Sequence, residues 1–347
     1  MAYRIIEKLP NVKEIIAATP MSAEGYASIL KHREEIKAIL RGDDKRLICV
    51  VGPCSAWPDT AVLEYARRLV LLNQKVSKNL KIIMRSYIQK PRTIKGWTGP
   101  VNQPDPLSPP NITEGIKYAR GLMVKINEMG LAIADEALFT HNSEGFLELL
   151  SWVAIGARSS EDQEHRIHAS AIDCPVGMKN PTHGSLKIGV NSIVAATNSH
   201  IAVFDGYAIE TSGNSYAHLV LRGGNGKPNY SIEYIIEAYE LLNKAQVENP
   251  AIMVDVSHDN CLVNGKKDYS LQPQIIFDIL DSVKDKPELK KVIKGFMIES
   301  FLKPGNQNID TAEIIDFGGL SITDPCISFE ETEELLLKLS ERLAHDN

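Results

Sequence analysis

The feature of this sequence that most constrains its fold is an alternation of short apolar runs, rich in β-branched residues, with longer segments of 3.6-residue periodicity. Such alternation is typical of βαβ units and of a parallel sheet. The runs that we interpret as strands are 46–52, 81–86, 131–136, 152–158, 174–179, 218–223, 251–258 and 293–300. Eight strands alternating with eight helices predict an α/β fold, the (β/α)8 or TIM barrel, with a doubly wound open sheet as the competing topology.

Two segments depart from this repeat. Residues 1–46 are predicted to form an N-terminal helical extension, with one helix capped by Ser22, so that 47–347 form a single catalytic barrel. Residues 201–214 alternate in polarity and contain glycine turn signals, which predicts a β-hairpin inserted before the sixth strand. Apolar positions in the extension indicate a subunit contact, and hence a homodimer or homotetramer; they are Ile5, Ile6, Ile15 and Ile16.

Composition limits the classes of partner. The chain of 347 residues has a formal net charge of -6, which argues against general binding to nucleic acid or to a membrane surface. Its five cysteines include no CxxC pair, and the sequence shows neither a signal peptide nor an apolar run long enough to span a bilayer. We therefore expect a reduced, cytoplasmic protein.

Ionisable or metal-binding residues occupy the ends of all the predicted strands. In a TIM barrel the carboxyl ends of the strands surround the active site. The residues at these ends, in strand order, are Cys54, Arg85, Glu136, Arg158, Lys179, Arg222, His258 and Glu299. Any one of them alone is more readily explained as a structural ion pair or a buried polar residue. Their accumulation at one end of the fold predicts an active site.

Four of these strand-end residues are cations, namely Arg85, Arg158, Lys179 and Arg222. Converging cations repel one another, and removing each from water costs free energy unless an anion compensates. A charge-assisted hydrogen bond to such an anion returns about 1.5–3 kcal/mol. Because arginine matches carboxylate and phosphate and lysine supplies a point charge, we predict a ligand that carries both anionic groups.

The remaining strand-end residues indicate a cation site. Cys54, His258 and Glu299, together with Asp324 in the loop after the last strand, offer one thiolate, one imidazole and two carboxylates. This mixed set suits one divalent transition metal (Mn, Fe, Co or Zn) better than Mg or Ca. Their spacing alone is not diagnostic, so the prediction depends on their common placement at the mouth of the barrel.

A second basic group follows the second strand, in the sequence Lys90-Pro91-Arg92-Thr93. Proline stiffens this loop, and the two cations and the hydroxyl group can hold a second phosphate at the rim. Two cationic groups with a metal between them predict two phosphorylated substrates that are joined at a metal-polarised carbonyl.

The motifs around these residues resemble a known family. They are GPCS at 52–55, MRSYIQKPRT at 84–93, GWTG at 96–99, SWVAIGARSSEDQEHR at 151–166, CPVGMKN at 174–180, TSGN at 211–214, LRGGNGKPNYS at 221–231, DVSHDN at 255–260, MIES at 297–300 and SITDPCISFEET at 321–332. From about residue 40 to its end, the chain resembles the type I, microbial-type 3-deoxy-D-arabino-heptulosonate-7-phosphate (DAHP) synthases. The resemblance implies a transferase that condenses phosphoenolpyruvate with erythrose 4-phosphate in the first step of the shikimate pathway.

The resemblance also implies roles for individual residues. The implied metal ligands are Cys54, His258, Glu299 and Asp324, and the implied phosphoenolpyruvate site is Arg85, Arg158, Lys179 and Arg222. The implied erythrose 4-phosphate site is Lys90, Pro91, Arg92, Thr93 and Asp324. Cys54 and His258 are also implied to be catalytic residues, because they would bind the catalytic metal. Lys90 is a candidate proton donor if its neighbours lower its pKa, and Glu136 is a candidate to orient the attacking water.

Two alternatives stay open, and some regions depart from the feedback-regulated members of the family. One alternative is a 3-deoxy-D-manno-octulosonate 8-phosphate synthase, which uses arabinose 5-phosphate, and the other is a catalytically silent barrel that senses metabolites. The departures are a short N-terminal arm, the composition of 137–146, Asp173 and a shorter hairpin. In the family these elements build the aromatic amino-acid site, so we expect weak or no inhibition by Phe or Tyr.

Overall fold

The computed structural model describes residues 2–91, 96–138, 145–204 and 207–346. Within these ranges the strands are β1 Leu47–Gly52, β2 Leu80–Arg85, β3 Ala132–Glu136, β4 Trp152–Ile155, β5 Val176–Lys179, β6 Ile201–Phe204, β7 Tyr207–Glu210, β8 Ala217–Leu221, β9 Ile252–Asp255, β10 Leu262–Val263, β11 Lys266–Lys267 and β12 Ile293–Glu299. Eight of these described strands close into a parallel barrel in the order β1-β12-β9-β8-β5-β4-β3-β2. The predicted (β/α)8 barrel is confirmed, and the open sheet is excluded.

Helices separate most of the barrel strands. They are α1 Val12–Ala18, α2 Ala23–Arg41, α3 Asp59–Val76, α4 Ile112–Glu128, α5 Gln163–Ala171, α6 Leu186–Thr197, α7 Ile232–Lys244, α8 Gln272–Ser282, α9 Pro287–Val292 and α10 Phe329–Asp346. Between β3 and β4, the described residues hold only the 3-10 turn Leu147–Leu149, and residues 139–144 of this connection lie outside the described ranges. No helix in the described part of the chain is long and apolar enough to cross a membrane.

The N-terminal extension contains two helices rather than the single one predicted. α1 begins with a capping box, in which Asn11 Oδ1 accepts from Glu14 N at 3.1 Å and the Glu14 carboxylate accepts from Asn11 N at 2.8 Å. α2 begins as expected at Ser22, whose Oγ accepts from Gly25 N at 2.9 Å. It ends at Gly42, where φ is +91°.

A partly buried polar network around Lys81 fixes α2 to the amino-terminal end of the barrel. The Lys81 ammonium, at the start of β2, lies 2.6 Å from Glu35 Oε2 and donates to His32 Nδ1 at 2.7 Å. Because Nδ1 accepts from an ammonium, the ring is neutral and its Nε2 hydrogen points to Gly130 O at 3.2 Å. Burial first, and then the Lys81 charge, lower the pKa of His32 to about 4.

The inserted hairpin is confirmed as the antiparallel pair β6 and β7, with its turn outside the described residues. Its inner face packs against α5, where His168 stacks on Phe204 with ring centroids 5.6 Å apart. The N-terminal segment, α5 and the hairpin enclose an apolar cavity of about 490 Å³, which lies on the outside of the barrel.

Candidate active site

A polar cavity of about 280 Å³ opens at the carboxyl ends of the barrel strands. Among the predicted site residues, those that line it are Arg85, Lys90, Pro91, Glu136, Arg158, Lys179, Arg222, His258 and Asp324. The strands β2, β3, β5 and β12 end on Arg85, Glu136, Lys179 and Glu299. Arg222 directly follows β8, whereas Cys54, Arg158 and His258 lie a little further along their loops. The barrel topology thus gathers residues from every strand at one opening.

Cys54, Glu299 and Asp324 form a compact group of metal-binding side chains. One ligand atom of each lies within 4.8 Å of the others. Glu299 is held in place by Ser257, whose Oγ donates to Glu299 Oε2 at 2.6 Å, and by Gln272, whose Oε1 accepts from Glu299 N at 2.8 Å. A thiol beside two oriented carboxylates fits a divalent transition metal.

His258 lies outside this three-residue group but lines the same cavity as Asp324. It begins the 3-10 turn His258–Cys261 with a φ of +52°. Residues other than glycine rarely adopt this backbone conformation, and those that do are concentrated at functional sites. Its Nδ1 is 2.9 Å from Asp255 Oδ2, which also lies 3.1 Å from Lys179 Nζ. Because Asp255 engages Nδ1, the nitrogen left for a metal is Nε2.

The charges around the group favour ionised carboxylates and a protonated thiol. Burial alone would raise the pKa of Asp324 and of Glu299, but nearby cations outweigh it, and both pKa values are lowered. For Asp324 the main cation is Lys267; the Glu299 pKa is lowered most by the His258 ring when it is protonated, and also by the permanent cations Arg85 and Lys267. Burial raises the pKa of the Cys54 thiol to about 11. A bound divalent cation would deprotonate such a thiol, so the donors fit the ion at neutral pH.

Lys267 is a site residue that sequence analysis missed. It lies on the small hairpin formed by β10 and β11, and its Nζ is 2.7 Å from Asp324 Oδ2. The hairpin turns at Asn264 and Gly265, which have φ values of +50° and +77°. An Asn-Gly pair between two short extended runs is a strong hairpin signal, so the sequence did contain the information needed to find it.

Arg85 is the most deeply buried of the predicted anion-binding residues. Its Nη2 donates to Glu299 Oε1 at 3.2 Å and its Nε to Pro53 O at 3.3 Å. Its Nη1 is buried and makes no hydrogen bond with the described residues. Gly52, with a φ of +151°, permits this packing, since a Cβ there would lie 3.0 Å from Arg85 O. A guanidinium whose Nε and Nη2 are held by hydrogen bonds, and whose Nη1 can still donate, is suited to bind an anion.

The other predicted cations differ in how they are held. Lys179 is buried beside Asp255, and Arg222 Nη1 lies 3.2 Å from Asp259 Oδ2. Arg158 is exposed at the edge of the cavity. The carboxylates of Asp255 and Asp259 therefore orient two of the cations before any ligand arrives, a function that strand-end reasoning did not assign to them.

The loop after β2 brings Lys90 to the candidate metal group. Its Nζ donates to Cys54 O at 2.9 Å and to Cys54 Sγ at 3.1 Å. Burial would lower the pKa of Lys90, but Cys54, Glu299 and Asp324 outweigh it and raise the pKa. The condition that its neighbours lower its pKa is therefore not met. Pro91 lines the cavity, whereas Arg92 and Thr93 lie outside the described residues.

Glu136 is buried at the end of β3, with its carboxylate against the backbone of Gly156. A Cβ at position 156 would lie 2.2 Å from Glu136 Oε1, so only glycine leaves room for the carboxylate. Glu136 shares the cavity wall with Arg85 and Arg158. This placement allows it to act on a ligand in the cavity or on a neighbouring cation.

The barrel and this opening define the class of protein: a (β/α)8-barrel enzyme with cationic and metal-binding side chains at the catalytic end. The model of the DAHP synthetase I family matches residues 19–337. The chain is 38% identical over 340 residues to the Trp-sensitive phospho-2-dehydro-3-deoxyheptonate aldolase of Escherichia coli K12, an alignment that covers 96% of this chain and 95% of the relative. It is 36% identical to a phospho-2-dehydro-3-deoxyheptonate aldolase of Corynebacterium glutamicum, over 96% and 91% of the two chains.

The fold comparison agrees with these relatives. The solved phospho-2-dehydro-3-deoxyheptonate aldolase of Francisella tularensis superposes with a TM-score of 0.92 at 36% identity, over 99% of each chain. The chain belongs to the DAHP synthetase I family. It is a transferase of the first step of the shikimate pathway, in which phosphoenolpyruvate is condensed with erythrose 4-phosphate. The predicted family, enzyme class and reaction are thereby confirmed.

Proposed function

We propose that the condensation takes place in the cavity at the carboxyl ends of the strands and depends on one divalent transition-metal ion (Mn, Fe, Co or Zn). The residues that would hold the ion are Cys54, His258, Glu299 and Asp324. The observation that carries this proposal is the group of Cys54, Glu299 and Asp324, whose ligand atoms lie within 4.8 Å of one another beside the buried Arg85. When bound, the ion supplies Lewis-acid polarisation of the aldehyde oxygen.

The anion-binding residues would hold phosphoenolpyruvate. We assign its phosphate and carboxylate to Arg85, Arg158, Lys179 and Arg222. Arg85 Nη1 is the nitrogen with hydrogen-bonding capacity to spare, and Lys179 and Arg222 are held by their carboxylate partners. Fixed cations of this kind hold carbon 3 of phosphoenolpyruvate at attack distance from the aldehyde carbon, which lowers the entropic part of the barrier.

We assign the aldose phosphate to Lys90, Pro91, Arg92, Thr93 and Asp324. Because its pKa is raised, Lys90 is an ammonium at neutral pH, and we assign it a charge-assisted hydrogen bond to the new alkoxide rather than the transfer of its proton. We assign Glu136 the orientation of the water that adds to carbon 2, after which the hemiketal phosphate loses inorganic phosphate. Its buried place on the cavity wall supports this role.

The test of metal dependence and sugar specificity is one assay of phosphate release from phosphoenolpyruvate. Erythrose 4-phosphate and arabinose 5-phosphate are compared, each with and without a chelator. We expect release with erythrose 4-phosphate, little with arabinose 5-phosphate, and loss with the chelator that added Mn²⁺ restores. Activity that survives complete removal of metal would contradict the proposal, and a preference for arabinose 5-phosphate would favour the octulosonate synthase instead.

We also propose that Phe and Tyr inhibit this enzyme weakly or not at all. Asp173 stands where the family usually has a small hydroxyl residue beside the aromatic amino-acid site. Its Oδ2 lies 3.4 Å from Arg33 Nη1, so it adds a negative charge at that position. A titration with Phe, Tyr and Trp tests the proposal, and Trp is included because the Escherichia coli relative is named Trp-sensitive. Strong inhibition by Phe or Tyr below millimolar concentration would refute it.

The subunit arrangement and location are part of the same proposal: a cytoplasmic homodimer or homotetramer whose chain divides into an extension, 1–46, and a barrel, 47–347. Ile5 and Ile6 are 82% and 86% exposed, and Ile201 and Val203 on the hairpin are 83% and 82% exposed. Exposed apolar residues in such number support a protein contact. Ile15 does not belong to this surface, since it is buried against its own chain.

A further inference from the structure

Tyr87 lies in the loop after β2, between the cation assigned to phosphoenolpyruvate and the one assigned to the aldose phosphate. Its side chain lines the cavity, yet the residue is only 1% exposed. The Arg85 Cζ lies 4.0 Å from the centroid of the Tyr87 ring, and the Lys90 Nζ lies 5.8 Å from it. Both distances fall within the range of cation–π interactions. One aromatic ring therefore contacts both cations.

The ring, rather than the hydroxyl group, accounts for this placement. Among the described residues, the Tyr87 hydroxyl donates to Met297 Sδ at 4.0 Å, and a thioether is a weak acceptor. Burial raises the pKa of Tyr87 well above its usual value, so the group is neutral at physiological pH. The hydroxyl thus supplies neither a charge nor a strong hydrogen bond to the site.

An aromatic face has an electrostatic advantage at this position. Arg85 is fully buried, and its nearest carboxylate, Glu299, is also a proposed metal ligand. A further carboxylate beside Arg85 would hold the guanidinium but would repel an anionic substrate. The face of a neutral ring attracts the cation through its quadrupole without adding net negative charge. Arg85 can then keep its net positive charge for the ligand.

The main chain fixes the ring in place. Tyr87 O accepts from Ala56 N at 2.9 Å, which ties the loop after β2 to the loop that carries Cys54. The next residue, Ile88, donates its N–H to Asp135 Oδ1 at 3.2 Å. The backbone is therefore anchored on both sides of the ring, so that the ring position is coupled to the candidate metal group and to β3.

We propose that Tyr87 is a positioning residue whose ring face holds the Arg85 guanidinium, and more weakly the Lys90 ammonium, in the orientation that binds phosphoenolpyruvate. The inference rests on the proposed assignment of Arg85 to phosphoenolpyruvate. Because the Arg85 contact is the shorter one, loss of the ring should affect phosphoenolpyruvate more than erythrose 4-phosphate. Loss of the hydroxyl alone should have little effect.

The experiment compares Tyr87→Phe, which keeps the ring, with Tyr87→Leu and Tyr87→Met, which remove it, in the Mn²⁺-loaded full chain. We expect both ring-free variants to raise KM for phosphoenolpyruvate about tenfold, with a smaller rise for erythrose 4-phosphate and a smaller change in kcat. The Phe variant should stay within about twofold of the wild type. Having two ring-free variants keeps the test informative if one of them fails to fold.

Phe296→Leu is the matched control, because it removes a buried ring on β12 away from the cavity. An equal rise in KM in this control would show general loosening of the barrel and overturn the inference. So would a Phe variant as impaired as the Leu variant, or folded ring-free variants with unchanged KM. Arg85→Gln distinguishes failure of the Tyr87 inference from failure of the proposed function. If this variant leaves KM for phosphoenolpyruvate unchanged, the assignment of Arg85 to phosphoenolpyruvate fails as well.

Discussion

Opposite charges are paired in the cavity before any substrate is present. Arg85 contacts Glu299, and Lys179 contacts Asp255, with separations of 3.2 Å and 3.1 Å. Removing one partner of such a buried pair leaves an uncompensated charge and is strongly destabilising. The pairs therefore hold the cations in a defined arrangement, and a substrate anion adds to this arrangement rather than creating it.

At the residue scale, the role of Glu136 can be tested without changing its shape. Glu136→Gln keeps the volume that Gly156 accommodates but removes the charge. Because the proposed role is to orient a water molecule, we expect kcat to fall at least about tenfold, with metal affinity unchanged. Steady-state kinetics and a metal titration give both readouts. Turnover equal to that of the wild type would remove Glu136 from the mechanism.

Which residues lie at the opening of the barrel was largely predictable, but their partners within the protein were not. Arg85, Lys179 and Glu299 could be found because a strand-end position is encoded by local pattern. Asp255 and Lys267 were missed because their importance depends on which side chains meet across loops, as in the pairs with Lys179 and Asp324. The raised pKa of Lys90 likewise follows from three neighbours that are distant in sequence.

At the element scale, α2 is attached to the barrel by charged groups that are partly or fully removed from water. His32 is neutral in the folded chain, and its pKa of about 4 lies below the ordinary value of 6.5. Between these values the unfolded chain binds more protons than the folded one, so the free energy of unfolding falls as the pH is lowered through this range. His218, with its pKa also lowered to about 4 by burial, acts in the same direction.

The variant His32→Gln should reduce this dependence on pH. Glutamine can accept from Lys81 and donate to Gly130 O without titrating. Relative to pH 7.5, we expect the wild type to lose about 2 kcal/mol more unfolding free energy at pH 4.5 than the variant does. Urea unfolding at the two pH values measures the difference. Equal losses in the two proteins would show that His32 is not protonated on unfolding.

Secondary-structure elements with a clear sequence periodicity were predicted correctly, whereas an element too short to show a period was missed. The barrel strands follow from repeated short apolar runs, and the β6–β7 hairpin from alternating polarity between glycine turn signals. α1 was not predicted, because its 7 residues are too few to show a helical period; the Asn11 and Glu14 capping box is the signal that could have revealed it.

At the scale of the whole molecule, closure of the barrel brings sequence-distant residues together. β1 pairs with β12, so the loop with Cys54 lies beside Glu299 and the loop with Asp324. The order of the strands thus predicts which residues meet, although not the ångström distances between them. Those distances depend on loop conformation, as in the left-handed backbone of His258.

The exposed apolar residues lead to a prediction about assembly. The double variant Ile5→Asp with Ile6→Asp places charges on a surface that is exposed in one chain, so the barrel should fold normally. If this surface is a subunit contact, light scattering after size exclusion should show a lower mass than the wild-type dimer or tetramer. Lys8→Glu is a matched control for added negative charge in the same segment. A wild-type protein that is already monomeric would refute the proposed oligomer.

The most direct test of the central claim is a Co²⁺ titration of the metal-free chain, followed by absorption. If Cys54 joins His258, Glu299 and Asp324 on one ion, about one equivalent should bind and produce a thiolate-to-cobalt charge-transfer band. The band should vanish in Cys54→Ser and persist in Cys261→Ser, another buried cysteine. A wild-type chain without the band, or a Cys54→Ser chain that retains it, would contradict the account.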